Sequence, residues 1–383
     1  MSCRFSRRQF LQGAAGAAAL GLVGTDRLRA GPKAPSSPVS IARCRDYQPN
    51  AVLRQLGTMA DQLGGLRGVA GKTVVVKVNL TGDVHQGALG LAAGRTYHVN
   101  PALVLATATL LDRAGAKRIR FVEGTYQNGP MEAYLQAAGW DLKALGALRA
   151  KVEYEDTHNR GLGKRYFEVK VPWGGSLFPA YLLNHSYVDC DYYVSLAKLK
   201  NHATAGVTLS MKNNFGITPT ALYGQHEHKE DSTNARVNVF HMPRERPPDG
   251  VPQEVKGAPR LPSQRVPRHT VDAVGIRPID LAIIDGIETV SGGEGPWLKL
   301  APQKPGLLLA GRNPVCTDAV ATAVMGYDPT AERATGPFPG DNHLAMAAAH
   351  GLGTINLREI EVVGVPLKEA RHPFRWEPAE RNS

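Results

Sequence analysis

The chain has 383 residues, 43% of them hydrophobic and 7% aromatic, and carries a formal net charge of +11. This length and apolar content suit one large α/β domain or two tightly joined lobes, and exclude a disordered chain. Few aromatic rings and no Lys/Arg-rich run argue against a nucleic-acid partner, so the surplus charge points to small acidic ligands.

In chain order, the first feature is an export signal. Ser6-Arg7-Arg8-Gln9-Phe10-Leu11 matches the twin-arginine consensus, an Ala/Gly-rich apolar stretch runs from Gly13 to Gly24, and Leu28-Arg29-Ala30 is an imperfect small-residue cleavage site. The apolar stretch is too short for a hydrocarbon core of about 30 Å. Residues 1–30 are therefore expected to engage the Tat translocon and be removed, leaving a periplasmic protein with no stable membrane insertion. Arg4, Arg7, Arg8, Arg27 and Arg29 against Asp26 give the signal +4, so +7 of the +11 stays with the mature chain. The Tat route carries folded chains, which makes a cofactor loaded beforehand (a metal, flavin or iron–sulfur group) one of the readings to test.

Residues 31–45, rich in Pro and Ser, are expected to form a flexible leader, and residues 46–370 a single α/β domain followed by a tail over 371–383. Val52, Leu56, Met59 and Leu63 mark one face of a helix over 50–63. Lys72–Val78 reads as a buried strand, Pro101–Ala114 as a helix stopped by Gly115, and Arg118–Val122 as the next strand. This βαβ order predicts a mostly parallel sheet flanked by helices. Further strands are expected at 167–171, 192–196, 279–284, 306–310 and 359–363, with helices at 314–325 and 342–350. Residues 221–270, rich in Pro, Arg and His, read as an insertion: either a lid or arm, or a partly disordered segment.

Three clusters carry chemistry. Lys198, Lys200, Asn201, His202, Lys212, Asn213 and Asn214 follow an apolar strand, at the carboxyl edge where open α/β sheets bind ligands. Their amines and amides form a seat for a carboxylate or phosphate, against the plainer reading of a solvated basic surface. Lys77 and Asn79 repeat the pattern at the end of the earlier strand, on one face, with Val78 on the other. Asp285 also ends a strand and leads through Glu288 to Gly292, Gly293 and Glu294. The glycines would let the backbone approach an anion, and the three acids would bind a hard metal or act as general base; a glycine turn with capping acids is the alternative.

Other candidates are weaker. His226, His228, His241 and His269 are offered as metal ligands against a solvated loop, and Cys316 and Asp318 open a helix where a thiolate or acid would feel the helix dipole. Mature-chain Cys44, Cys190 and Cys316 form no C-x-x-C set, and an oxidising compartment would allow one disulfide whose pairing the spacing does not define.

The chain resembles the family called domain of unknown function 362. The likeness is carried by V-V-V-K-V-N at 74–79, K-L-K-N-H at 198–202, S-M-K-N-N-F-G at 210–216, I-D-G-I at 284–287, D-A-V-A-T-A-V-M-G-Y-D-P at 318–329 and the closing segment 351–364. Some relatives carry an extra ferredoxin-type cluster domain, whose cysteines this chain lacks. The resemblance implies the fold and no particular reaction. Three functions follow as alternatives: an enzyme on a small anionic substrate with Lys212, Asp285 and Glu294 as catalytic groups, a cofactor- or metal-loaded redox protein, and a non-catalytic anion- or metal-binding protein.

Overall fold

The computed structural model describes residues 34–375. An eight-stranded sheet forms the frame, its strands numbered here in chain order: β1 (Val39–Arg43), β2 (Thr73–Val78), β3 (Arg118–Glu123), β4 (Lys151–Asp156), β5 (Tyr192–Lys198), β6 (Leu281–Gly286), β7 (Leu307–Gly311) and β8 (Val362–Gly364). Their spatial order is β8-β1-β7-β6-β5-β2-β3-β4. Only β7 runs against its neighbours; every other pairing is parallel.

Alternation of side chains sorts the apolar residues of each strand between two layers. Val74, Val76, Val78, Leu196 and Ile283 pack under helices α1 (Pro49–Gln62) and α2 (Pro101–Arg113). Val75, Ala197, Ala282 and Ile284 face the other way, toward α3 (Leu209–Asn213), α4 (Pro262–Ile276), α5 (Pro314–Val324) and α6 (His343–Ala349). Burial on both faces explains why these strands read as continuous apolar runs. Asn100, Asn313 and Asn342 each cap a helix by accepting the free amide protons of its first turn.

The chain steps outward from β2 to β3 to β4, then returns to lay β5 on the opposite side of β2. The carboxyl ends of β2 and β5, where the strand order reverses, mark the crevice position at which such sheets bind ligands.

The fold departs from the sequence reading at the leader, the insertion and the tail, and β4 lies where no strand was expected. Val39–Arg43 lies within the expected flexible leader, yet it is an inner strand paired to β7 and β8, with Val39 and Ile41 buried. Its five residues are too few to show periodicity, and partners more than 260 residues away hold it. The 221–270 insertion ends at Pro262, where α4 begins. Pro267 sits inside that helix because the Ser263 carbonyl it leaves free accepts the Asp341 amide instead, at 2.9 Å. The remainder, 225–261, follows a defined course anchored by Arg265, whose guanidinium reaches the Pro259 and Val239 carbonyls at 2.8 and 2.5 Å. In the tail, Phe374 is buried. The proposed signal, residues 1–30, lies outside the described residues. Cys44, Cys190 and Cys316 are free thiols, and burial raises the pKa of each.

A chain beginning at Asp46 would leave the edges of β7 and β8 unpaired and expose the cover over Leu307 and Leu309. Such a truncation is expected to lower the melting temperature by more than 10 °C in a thermal melt; a merely flexible leader would leave it unchanged.

Candidate functional site

Four lysines are buried at the carboxyl edge of the sheet, where desolvation lowers the pKa of each, and what each amine touches separates their roles. Lys198 faces the α1/α2 layer. Its Nζ donates to Asp285 Oδ2 at 2.9 Å and to the Tyr47 hydroxyl at 3.2 Å, and both charged groups are fully buried. Asp285 also accepts the Tyr47 hydroxyl, the Asn100 amide and the Ile287 amide. Four donors thus engage the two oxygens of a carboxylate that the sequence offered as a catalytic or metal-binding group.

Lys77 projects from the opposite face of the sheet. Its Nζ lies 2.6 Å from Glu123 Oε1, a residue the sequence reading missed because a strand-end glutamate has no local signature. Glu123 also accepts the Leu80 and Gly124 amides, and Gly216 runs over the pair so closely that a Cβ there would meet the Lys77 amine at 3.2 Å. Thus Lys77 and Lys198 are each neutralised by a buried carboxylate, on different faces.

Asn213 closes the crevice. Its Nδ2 donates to the Lys77 carbonyl, the Ser195 hydroxyl and the Leu196 carbonyl, while its Oδ1 accepts from Asn79 Nδ2 at 3.2 Å and Lys77 Nζ at 3.4 Å. Asn214 turns away, its amide donating to the Arg277 carbonyl at the end of α4 and its oxygen accepting the Tyr193 hydroxyl. It locks helix to strand.

Lys212 is different. Its amine makes no hydrogen bond or ion pair with any described residue and sits 3.8 Å from the centroid of the Phe215 ring. Burial pushes its pKa down to about 7, opposed by Glu294, and the charges of Arg236 and Lys77 push the same way as burial. Lys200 donates to the Tyr97 and Glu294 carbonyls at 2.6 and 2.8 Å and has no carboxylate at salt-bridge distance among the described residues.

Imidazoles surround Lys212. The Lys212 charge depresses the pKa of His202, His241, His269 and His343, though burial is the larger cause in every case. His202 Nδ1 accepts the Thr204 and Ala205 amides, so its ring is neutral with the proton on Nε2. His343 is fully buried, and neither ring nitrogen is hydrogen bonded; the Ala205 backbone approaches it without bonding geometry. His241 Nδ1 is likewise unpartnered. The sequence reading passed over His343, and offered His241 only as a metal ligand.

The segment 225–261 contributes directly. Arg236 donates to the Thr218 and Gly216 carbonyls at 2.6 and 3.2 Å, and His241 closes the π-turn Val237–His241 beside Phe215.

The entry to α3 is strained. Leu209 has φ +45°, a left-handed conformation costing about 1–3 kcal/mol for a non-glycine residue. Thr208 provides no side-chain cap. Asp318, reaching across from α5, supplies one instead: it accepts the Ser210 amide and hydroxyl at 3.0 and 2.6 Å and the Met211 amide at 2.8 Å. Asp318 therefore anchors the helix that carries Lys212, where the sequence suggested a partner for its own helix dipole.

The remaining expectations scatter. Glu288 pairs with Arg95 and Lys304 near the surface, away from Lys212. Glu294 accepts the Ala203 amide and the Trp297 indole, and it is the carboxylate whose charge reaches both Lys200 and Lys212. The metal set Asp285, Glu288 and Glu294 is thus not assembled, and among the described residues no three His, Cys, Asp or Glu side chains form a group that could hold a metal ion. Gly292 and Gly293 serve their own hairpin: a Cβ on either would collide with the Lys299 carbonyl or the Leu298 side chain at 2.2 Å. His226 pairs with Glu245 in solvent, and His269 stacks on Phe240 at 4.0 Å in the core. Asn201 Nδ2 bonds the Tyr327 hydroxyl, leaving its Oδ1 unpartnered.

Comparison with known proteins adds the following. Residues 74–323 match the model of the family described as domain of unknown function (DUF362). A thylakoid-associated protein of the cyanobacterium Synechocystis is 28% identical over 294 residues, covering 76% of this chain and 75% of the relative. A crystal structure of a Thermotoga maritima protein aligns with 68% of this chain and 55% of its own length, at 10% identity and a TM-score of 0.36.

Removing one partner of the Lys198–Asp285 pair strands a buried charge, so Lys198→Met is expected to cost about 3–5 kcal/mol in denaturant unfolding. Asp318→Ala leaves the Ser210 and Met211 amides unbonded at about 1–3 kcal/mol each, and is expected to weaken ligand binding at Lys212 as well.

Proposed function

The chain belongs to the domain of unknown function 362 family, and from the geometry of its site we propose an enzyme that acts on a small carboxylate or phosphate anion held at Lys212. One observation carries this reading. Of four buried lysines among the described residues, two have buried carboxylates at salt-bridge distance, while Lys212, within reach of the Lys200 and Arg236 charges, has none among those residues. A buried amine is retained at a desolvation cost, and an incoming anion would supply the counter-charge that the fold withholds.

Proton transfer beside a carboxylate suits the arrangement. An amine that ionises near pH 7 is matched to exchanging a proton at neutrality, and Lys200 would stabilise a developing oxyanion. Glu294 remains the carboxylate within electrostatic reach. A non-catalytic anion carrier would bind the same ligands without turnover, and product analysis separates the two. For the redox reading, visible absorbance or stoichiometric metal in the purified protein is the discriminating measurement.

The twin-arginine motif at Arg7 and Arg8 extends the proposal to export through the Tat translocon into the periplasm. Arg7→Lys combined with Arg8→Lys is expected to hold the protein in the cytoplasmic fraction; unchanged distribution would refute the signal.

For the site itself, Lys212→Met is expected to weaken binding of acetate or inorganic phosphate at least tenfold in calorimetric titration, since one charged hydrogen bond contributes about 1.5–3 kcal/mol. Unchanged affinity removes Lys212 from the site. The protonated amine is the anion-binding form, so affinity is full below pH 7 and falls as pH rises through about 7, by up to tenfold per pH unit. Between about 7 and 10.5 the unfolded chain holds a proton on Lys212 that the folded chain has released, so this group makes stability rise with pH over that window. Lys212→Met is expected to flatten that rise.

A further inference from the structure

The donors and acceptors that the fold leaves unused around Lys212 also constrain what the ligand must offer. Charge alone would call for an anion with acceptor oxygens. The amide orientations add a different demand. Asn213 Nδ2 faces two backbone carbonyls, Lys77 and Leu196, which only accept, so its Oδ1 is the atom turned toward Asn79. Asn79 must answer with its Nδ2, which leaves Asn79 Oδ1 as an acceptor, buried and without a partner. A neutral imidazole carries one donor and one acceptor nitrogen, so the fully buried, unbonded His343 presents a further acceptor. Asn79 is tied to Lys212 through Asn213, the next residue along the chain, and through Lys77, which also bonds Asn213 and whose charge reaches the Lys212 amine; the Lys212 charge in turn reaches His343. A bare carboxylate cannot donate to either acceptor, and a buried amide oxygen left unpaired is costly.

We propose that the ligand bound at Lys212 is a hydroxy acid, a small carboxylate bearing hydroxyl donors of the glyceric- or sugar-acid class, with Asn79 Oδ1 accepting one of those hydroxyls. This inference rests on the anion reading of Lys212 and narrows it. Discrimination follows the rule that a site built to hydrogen-bond a hydroxyl rejects the analogue lacking it, because its polar group is then left unpaired. Asn79 acts as a specificity determinant, and Lys212 supplies the charge.

The test titrates the purified protein with glycolate, glycerate and gluconate, and in parallel with acetate and propionate. The hydroxy acids are expected to bind at least about tenfold more tightly than their plain counterparts. Asn79→Leu, which keeps the branched outline and removes the acceptor together with the Nδ2 donor to Asn213, is expected to bring the hydroxy acids down to the affinity that the same variant shows for propionate. Equal binding of plain and hydroxy acids, with both lost in Lys212→Met, overturns the hydroxyl inference and leaves the anion site intact. A preference that persists in Asn79→Leu also overturns it. No binding of any of the five acids removes the hydroxy-acid inference and the carboxylate site together. The comparison on the unmodified chain decides the matter even where Asn79→Leu does not fold.

Discussion

The carboxamide of Asn213 occupies the point where β2 and β5 part. The pairing of these two parallel strands ends at Val78 and Leu196, and there Asn213 Nδ2 takes up the Lys77 and Leu196 carbonyls at 3.1 and 3.3 Å. The same side chain then presents its oxygen to Lys77 and Asn79. By bonding both strands it positions the preceding residue, Lys212, above the crevice. A short helix with a left-handed entry at Leu209 would not hold that position alone, and Asp318 secures it from α5. Strain at a functional position held in place by its surroundings is the pattern expected where geometry serves a ligand rather than stability.

Charge is distributed with the same economy. Each neutralised lysine does structural work: Lys77 with Glu123 joins β2 to β3, and Lys198 with Asp285 joins β5 to β6 and draws in Tyr47 and Asn100. Pairs of this kind contribute little net stability compared with apolar residues, but losing one partner is expensive, so they hold a particular arrangement. Against that background Lys212 stands out. The segment 225–261 adds Arg236 and a neutral His241 to the same neighbourhood, and the arginine raises the positive potential around an amine with no carboxylate at ion-pair distance among the described residues. An insertion read from sequence as a lid, an arm or disorder is thus part of the wall of the site.

Much of the frame was legible because the sheet is buried on both faces. Lys72–Val78, Pro101–Ala114 and Pro314–Met325 announced themselves through continuous apolar runs, first-turn prolines and a flanking glycine, and their observed bounds lie within a residue or two. The strand Val39–Arg43 was invisible because five residues carry no period and its partners lie at the far end of the chain. Helix α4 was hidden by Pro267, whose disruption is repaired by Asp341, seventy-four residues downstream of the proline.

The sequence by itself located the basic, amide-rich segment at a strand end, and chemistry of that kind is local: residue types and their spacing are enough to see it. It could not apportion the lysines, because a buried amine is structural or available according to whether a carboxylate stands within about 4 Å, and Glu123 and Asp285 arrive from other strands. Strand alternation sent Lys77 and Lys198 to opposite faces, and tertiary packing alone brought Arg236 and His241 from one segment and His343 from another within electrostatic reach of Lys212.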